Sequence, residues 1–170
     1  DQAVLNRDDP WFDRMKAKAA CPILTTSWHP GAELYAEDVS LRADGVSFTA
    51  VLGEERAKVS LPIPGSFAVS NGLTVLGLAA VLGIPLSQAA AALSEAKGVK
   101  GRLEVVPTPG KPYTVLIDYA HTPDGLENVL SSVKGYCKGR LIAVFGCGGD
   151  RDPLKRPIMG AIGAKYADVC

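Results

Sequence analysis

Asp118, His121 and Arg151 are the residues whose types and spacing invite chemistry. The acid and the imidazole lie three positions apart in Asp118-Tyr119-Ala120-His121-Thr122-Pro123, and the guanidinium belongs to Gly146-Cys147-Gly148-Gly149-Asp150-Arg151-Asp152. A carboxylate accepts hydrogen bonds from hydroxyls, an imidazole can donate or accept, and a guanidinium grips phosphate or carboxylate with a planar fork. Glycines in the second stretch leave backbone N–H groups open to an anion. Such a set suits a charged ligand with several polar groups better than an apolar one.

The elements that must position these residues follow from the flanking pattern. Tyr113 to Ile117 is short, apolar and β-branched, and reads as a buried strand. After it, Leu126, Val129, Leu130 and Val133 recur at helical spacing, with Thr122 placed to cap and Pro123 at the first helical position. Leu141 to Phe145 reads as a second strand, and Ala167-Asp168-Val169 as the start of a third. A β-α-β-α-β order predicts parallel strands with right-handed crossovers, so the Asp118 loop and the Gly146 loop should open on one edge, where ligands bind in α/β sheets. Gly146 to Asp152 would then offer backbone N–H groups to an anion, with Arg151 as a charged fork, Lys155 and Arg156 adding positive charge, and Gly148, Gly149 and Asp150 in support. The same glycines also fit a dinucleotide fingerprint or a tight turn needed only for steric reasons.

Composition excludes several classes. Eighteen basic and eighteen acidic residues cancel, which gives no bulk attraction to nucleic acid or to an anionic membrane. Four scattered cysteines and two histidines lack zinc-site spacing, so no metal site is expected within the chain. With no signal peptide and no uninterrupted apolar span, a cytoplasmic location is expected. Both ends look cut, and the chain is expected to be an internal piece of a longer one.

In the first half, Asn6-Arg7-Asp8-Asp9-Pro10 leads from an apolar start into a helix carrying Trp11, Phe12 and Met15. Asp8 and Asp9 fit either helix capping or a polar loop facing a ligand. From Leu34 to Pro62, alternation broken by Ala43-Asp44-Gly45 and Gly53-Glu54-Glu55 predicts an antiparallel meander. Pro64 to Asn71 introduces a helix over about 70–82 that is apolar all round and therefore expected to be buried. A second, Ala-rich helix is expected to end at Lys97-Gly98. Arg102, after Gly98-Val99-Lys100-Gly101, is either a solvated charge or a phosphate ligand at an inter-domain hinge.

Taken together, these stretches resemble the Mur ligase family. The resemblance rests on Asn6-Arg7-Asp8-Asp9, Pro64 through Asn71, Gly101-Arg102-Leu103-Glu104, Asp118 through Pro123, and Gly146 through Asp152 with Lys155-Arg156-Pro157. It implies an α/β chain with the end of a central ATPase domain and its antiparallel meander over residues 1–107. Part of a Rossmann-like parallel α/β ligase domain would follow over 108–170. The implied activity is ATP-dependent amide ligation in peptidoglycan precursor synthesis, adding meso-diaminopimelate rather than L-lysine to UDP-MurNAc-L-Ala-D-Glu through an acyl phosphate.

By that resemblance Asn6 would meet adenine, Arg102 the nucleotide phosphates and Asp118 the ribose, with His121 near the nucleotide and Arg151 at the incoming amino acid. Asp8, Asn71, Gly148, Gly149, Asp150 and Lys155 would support them. ATP and Mg2+ are implied, the metal ligands and phosphate loop lying upstream, so the 170 residues alone are expected to be inactive. The implied partners are the UDP-MurNAc-dipeptide and the diamino acid, without nucleic acid or membrane, and the protein is expected to be monomeric. A folylpolyglutamate or cyanophycin-type ligase, a dinucleotide-binding Rossmann module and a pure interaction domain are the rival readings.

Overall fold

A computed structural model describes residues 1–150 and 152–170. The chain divides into two compact units, the first formed by residues 1–41, 45–62 and 66–97, the second by 42–44, 63–65 and 98–170.

The first unit is built on a five-stranded sheet in the order β1-β2-β3-β4-β5. Strand β1 (Ala3–Asn6) is followed by helix α1 (Phe12–Lys16), and β2 (Ile23–Ser27) pairs with β1 in parallel. Strand β3 (Leu34–Arg42) begins parallel to β2, at Thr26↔Leu34 and Ser27↔Tyr35, so the expected meander is joined to a parallel edge. Strands β4 (Gly45–Leu52) and β5 (Glu55–Leu61) form the expected antiparallel hairpin, turning through Gly53 at φ +60°. Leu34, Val46, Ala50, Val51 and Val59 fill its core.

Helix α2 spans Phe67–Val81 and packs on this sheet through Ala68, Val69, Gly72, Leu73, Leu76 and Gly77. The close approach is made by glycine: a Cβ on Gly77 would stand 2.8 Å from Val4 Cγ1 and 3.3 Å from Leu24 Cδ2. The expectation that α2 is buried all round is corrected, since Val75 is 48% and Leu78 49% exposed. Gly72 and Gly77 let the helix come close to the sheet beside the buried Leu73 and Leu76, while Val75 and Leu78 stay outside that contact. Helix α3 (Leu86–Ser94) ends with Glu95 as its C-cap, short of the expected Lys97-Gly98 stop. There the Ser94 hydroxyl accepts from Ser60 N at 3.1 Å, tying the helix end to β5.

In the second unit, β6 (Glu104–Val106) and β7 (Val115–Ile117) pair antiparallel, with Glu104 opposite Ile117 and Val106 opposite Val115. The expected buried strand over 113–117 is thus shorter and half-exposed, because a two-stranded ribbon has no second layer to cover it. Helix α4 (Pro123–Lys134) starts as expected, with Gly125 N donating to Thr122 Oγ1 at 3.2 Å. Helix α5 spans Lys155–Tyr166. Leu126, Leu130, Ala143, Met159 and Ile162 form the core between α4, α5 and the 141–147 segment.

The strand expected over 141–145 is reduced to one parallel bridge, Ile142 to Val169, with Ala143 N donating to Val169 O at 2.9 Å. Val144, 96% exposed, has no neighbour among the described residues to make a ladder. What fixes the segment is Asp168, whose carboxylate accepts from Leu141 N at 2.7 Å and from Lys134 Nζ at 3.1 Å. Those two donors, the backbone one foremost, hold the Asp168 carboxyl below its ordinary pKa.

Candidate functional site

The β6–β7 register sets residues 102–103 beside 118–119, and two consecutive residues there hold two others. Asp118 Oδ2 accepts from Leu103 N and Asp118 Oδ1 from Ala120 N, both at 2.8 Å. Leu103 is 1% exposed and has φ +41°, a conformation costly for a branched side chain, so the carboxylate and the burial together stabilise a strained backbone. Just before it, Gly101 N donates to Glu104 Oε2 at 2.8 Å and Arg102 N to Val99 O at 3.0 Å, which closes a tight turn. Arg102 Cζ then lies over the ring of Tyr119, 5.0 Å from its centroid.

The His121 ring also meets Tyr119 in an edge contact, 5.1 Å between centroids and inclined at 61°. Its Nδ1 is 3.0 Å from Tyr119 O. A carbonyl can only accept, so the proton sits on Nδ1 and Nε2 is the free nitrogen. Each Asp118 oxygen keeps a second lone pair, and among the described residues the Arg102 fork has no partner for its in-plane donors. The turn can therefore accept from hydroxyls and donate to an anion at once, which fits a phosphorylated, hydroxyl-bearing ligand such as a nucleotide.

The first two residues of α5 bond this turn and the glycine loop. Lys155 Nζ donates to His121 O at 3.0 Å, while Arg156 Nη2 donates to Gly149 O at 2.7 Å and to Asp150 Oδ1 at 3.1 Å. Gly148, Gly149 and Asp150 are exposed. Gly149 alone needs glycine's conformation, at φ +73°; around Gly146 and Gly148 there is open space for a side chain. Arg151 lies outside the described residues.

In the first unit, Asn6 Oδ1 accepts from Asp8 N at 3.0 Å. Asp8 in turn accepts from Ser27 Oγ and from Trp28 N, each at 2.7 Å, so it fastens the loop after β1 to the end of β2. Asp9 closes an Asx turn just ahead of α1, its Oδ1 accepting from Trp11 N at 2.8 Å, while the helix itself has no side-chain cap. Trp28 Nε1 donates to Ser70 Oγ at 2.8 Å, next to the exposed Asn71. Ser27, Trp28, Ser70, Leu103 and Tyr119 are the residues the sequence reading missed. Of these, Ser70, Leu103 and Tyr119 lie inside stretches already singled out, whereas Ser27 and Trp28 carried no signal.

A helix-backed sheet with a parallel edge, followed by a unit whose entry turn gathers carboxylate, guanidinium and imidazole, defines a class, and the chain belongs to the Mur ligase family. Residues 1–79 match the Mur ligase middle domain and residues 101–170 the Mur ligase glutamate ligase domain. Within that class, the UDP-N-acetylmuramoyl-L-alanyl-D-glutamate--2,6-diaminopimelate ligase of Gloeobacter violaceus (strain ATCC 29082 / PCC 7421) is 45% identical over 168 residues, covering 99% of this chain and 34% of that one. A solved structure of a ligase of the same name has a TM-score of 0.71 at 34% identity, covering 98% of this chain and 35% of its own. The MurF ligase from Thermotoga maritima, solved in complex with ADP, shares the fold with a TM-score of 0.72 at 17% identity, over 96% of this chain and 37% of its own. The chain spans about a third of the length of the curated relatives it matches. Among the described residues, no helix is long and apolar enough to cross a membrane.

Proposed function

We propose that the chain is a segment of an ATP-dependent amide ligase that adds meso-diaminopimelate to UDP-MurNAc-L-Ala-D-Glu in peptidoglycan precursor synthesis. In this reading the γ-phosphoryl group of ATP passes to the substrate carboxylate, releasing ADP and leaving an acyl phosphate, and the incoming amine attacks the acyl carbon and displaces orthophosphate. The observation that carries it is the 45% identity, over nearly the whole chain, to a ligase bearing that name. Residues 1–107 would close the central ATP-binding domain and 108–170 open the ligase domain; the pairing of β6 with β7 counts residues 104–106 with the second unit. The working protein is taken to be a cytoplasmic monomer.

Asn6 is assigned to adenine, Asp118 to the ribose, Arg102 to the nucleotide phosphates, and His121 to the nucleotide's surroundings through its free Nε2. Arg151 is assigned to the carboxylate of the incoming amino acid. Asp8, Asn71, Gly148, Gly149, Asp150 and Lys155 support these loops. The spare lone pairs on Asp118 and the unspent donors on Arg102 support the nucleotide assignment. For Mg2+, which would neutralise charge on the transferring phosphoryl group, no three His, Cys, Asp or Glu residues are gathered among the described residues. Its ligands are assigned outside this segment, and no catalytic residue is assigned within it.

The test is orthophosphate release by the full-length protein. Release should require ATP, UDP-MurNAc-L-Ala-D-Glu and meso-diaminopimelate together, and Arg151→Ala should raise the KM for the amino acid while leaving that for ATP. Equal turnover of L-lysine, or turnover of a folate substrate, would replace this reading with a neighbouring one.

A further inference from the structure

We infer that Tyr119 is a positioning residue that holds the Arg102 guanidinium ready for a phosphate, an inference resting on the nucleotide assignment of Arg102 above. An arginine can be held in place in two ways. A carboxylate partner would spend part of its donor fork and cancel its charge, whereas an aromatic face restrains the guanidinium plane and leaves the in-plane N–H groups unspent. Among the described residues Arg102 has the second arrangement, with its Cζ over the Tyr119 ring, 5.0 Å from the centroid.

Tyr119 is itself held from three sides. Asp118, immediately before it, is locked onto Leu103 N at 2.8 Å; Ala120, immediately after it, donates to Asp118 Oδ1; and the His121 ring packs against it at 5.1 Å. Leu103 is buried in a left-handed conformation right after Arg102, so the backbone at both ends of the stack is fixed. Tyr119 is nevertheless 63% exposed, and its hydroxyl is not part of this arrangement. A ring kept out in solvent under an arginine, by neighbours this rigid, orders a long side chain before the ligand arrives, and that lowers the entropic cost of binding.

The experiment is equilibrium binding of ADP and of adenosine to the full-length protein. Tyr119→Leu should weaken ADP about three- to fivefold, the scale of an exposed cation–π contact, and leave adenosine unchanged within about twofold. Tyr119→Phe should restore ADP binding, because the ring and not the hydroxyl does the holding. In an Arg102→Ala background, Tyr119→Leu should add no further loss. Equal weakening of ADP and adenosine would make Tyr119 a base or ribose contact and overturn the inference, as would a Tyr119→Leu loss that persists without Arg102 or that Phe fails to rescue. If Arg102→Ala alone binds ADP as well as the parent does, the nucleotide assignment of Arg102 itself fails, an outcome readable without any Tyr119 variant.

Discussion

Lys155 donates from its ammonium to the carbonyl oxygen of His121 at 3.0 Å, joining the first residue of α5 to the turn that carries Asp118. A lysine in the first turn of a helix sits at the positive end of the dipole, where a cation is disfavoured. Its position is therefore not explained by helix stability but by what it reaches. Replacing it with methionine removes the tether and the unfavourable charge together. Global stability should stay within about 0.5 kcal/mol, while amide exchange at Tyr119 to Thr122 should quicken about fivefold, as expected for losing a hydrogen bond of about 1 kcal/mol. Hydrogen exchange read by mass spectrometry checks this; unchanged protection of the turn would show the contact to be incidental.

Asp118 supports the turn through two backbone donors, and Asn cannot replace it. In Asp118→Asn one of Leu103 N and Ala120 N faces an amide NH2 instead of an oxygen, and Leu103 loses support for its φ of +41°. The expected cost is about 1–3 kcal/mol, the range for a part-buried donor left unpaired. Urea denaturation followed by the signals of the second unit measures it. A loss under about 0.5 kcal/mol would mean that the burial of Leu103 holds that conformation unaided.

Two glycines in helices should respond oppositely to the same substitution. Gly77→Ala in α2 gains helix propensity, yet its Cβ would stand 2.8 Å from Val4 Cγ1, and a stiff β-branched neighbour cannot move aside cheaply. Overpacking of about 1–3 kcal/mol should outweigh a propensity gain of about 1 kcal/mol. Gly160→Ala in α5 meets nothing within 4 Å and should stabilise by about 0.5–1 kcal/mol. Thermal melts of the two variants should move in opposite directions.

What was legible in the sequence was local chemistry. Thr122 and Pro123 announced the start of α4, and the Gly53 turn announced the β4–β5 hairpin, because caps and two-residue turns are decided by residues a few positions apart. Apolar runs were less reliable. Leu141 to Phe145 has the composition of a strand, but a strand exists only with a neighbour, and among the described residues just Ile142 has a bridge partner. The face of α2 was misjudged because apolar side chains of similar size stand on both its sides, Leu73 and Leu76 buried but Val75 and Leu78 exposed. The contacts of Asp8 with Ser27 and Trp28, and of Tyr119 with Arg102, join residues 17 or more positions apart. They depend on sheet register, which no sequence period encodes.

Tyr136, just past the end of α4, has a hydroxyl that is buried with no hydrogen-bond partner among the described residues. Burial pushes its pKa up to about 12, with the Cys137 thiol adding to the shift. Tyr136→Phe removes the unpaired polar group and keeps the ring, so it should stabilise the fold by about 1 kcal/mol at neutral pH. The sign of the pH dependence follows from the raised value. The folded state favours the protonated phenol, so that contribution is intact below the ordinary tyrosine pKa of about 10 and is lost as pH rises through about 12. The advantage of the phenylalanine variant should therefore widen across that window. One of the five tyrosines should ionise last in a phenolate absorbance titration, and that late step should vanish in the variant. If the variant is less stable than the parent, or the late step persists, the hydroxyl is paired after all.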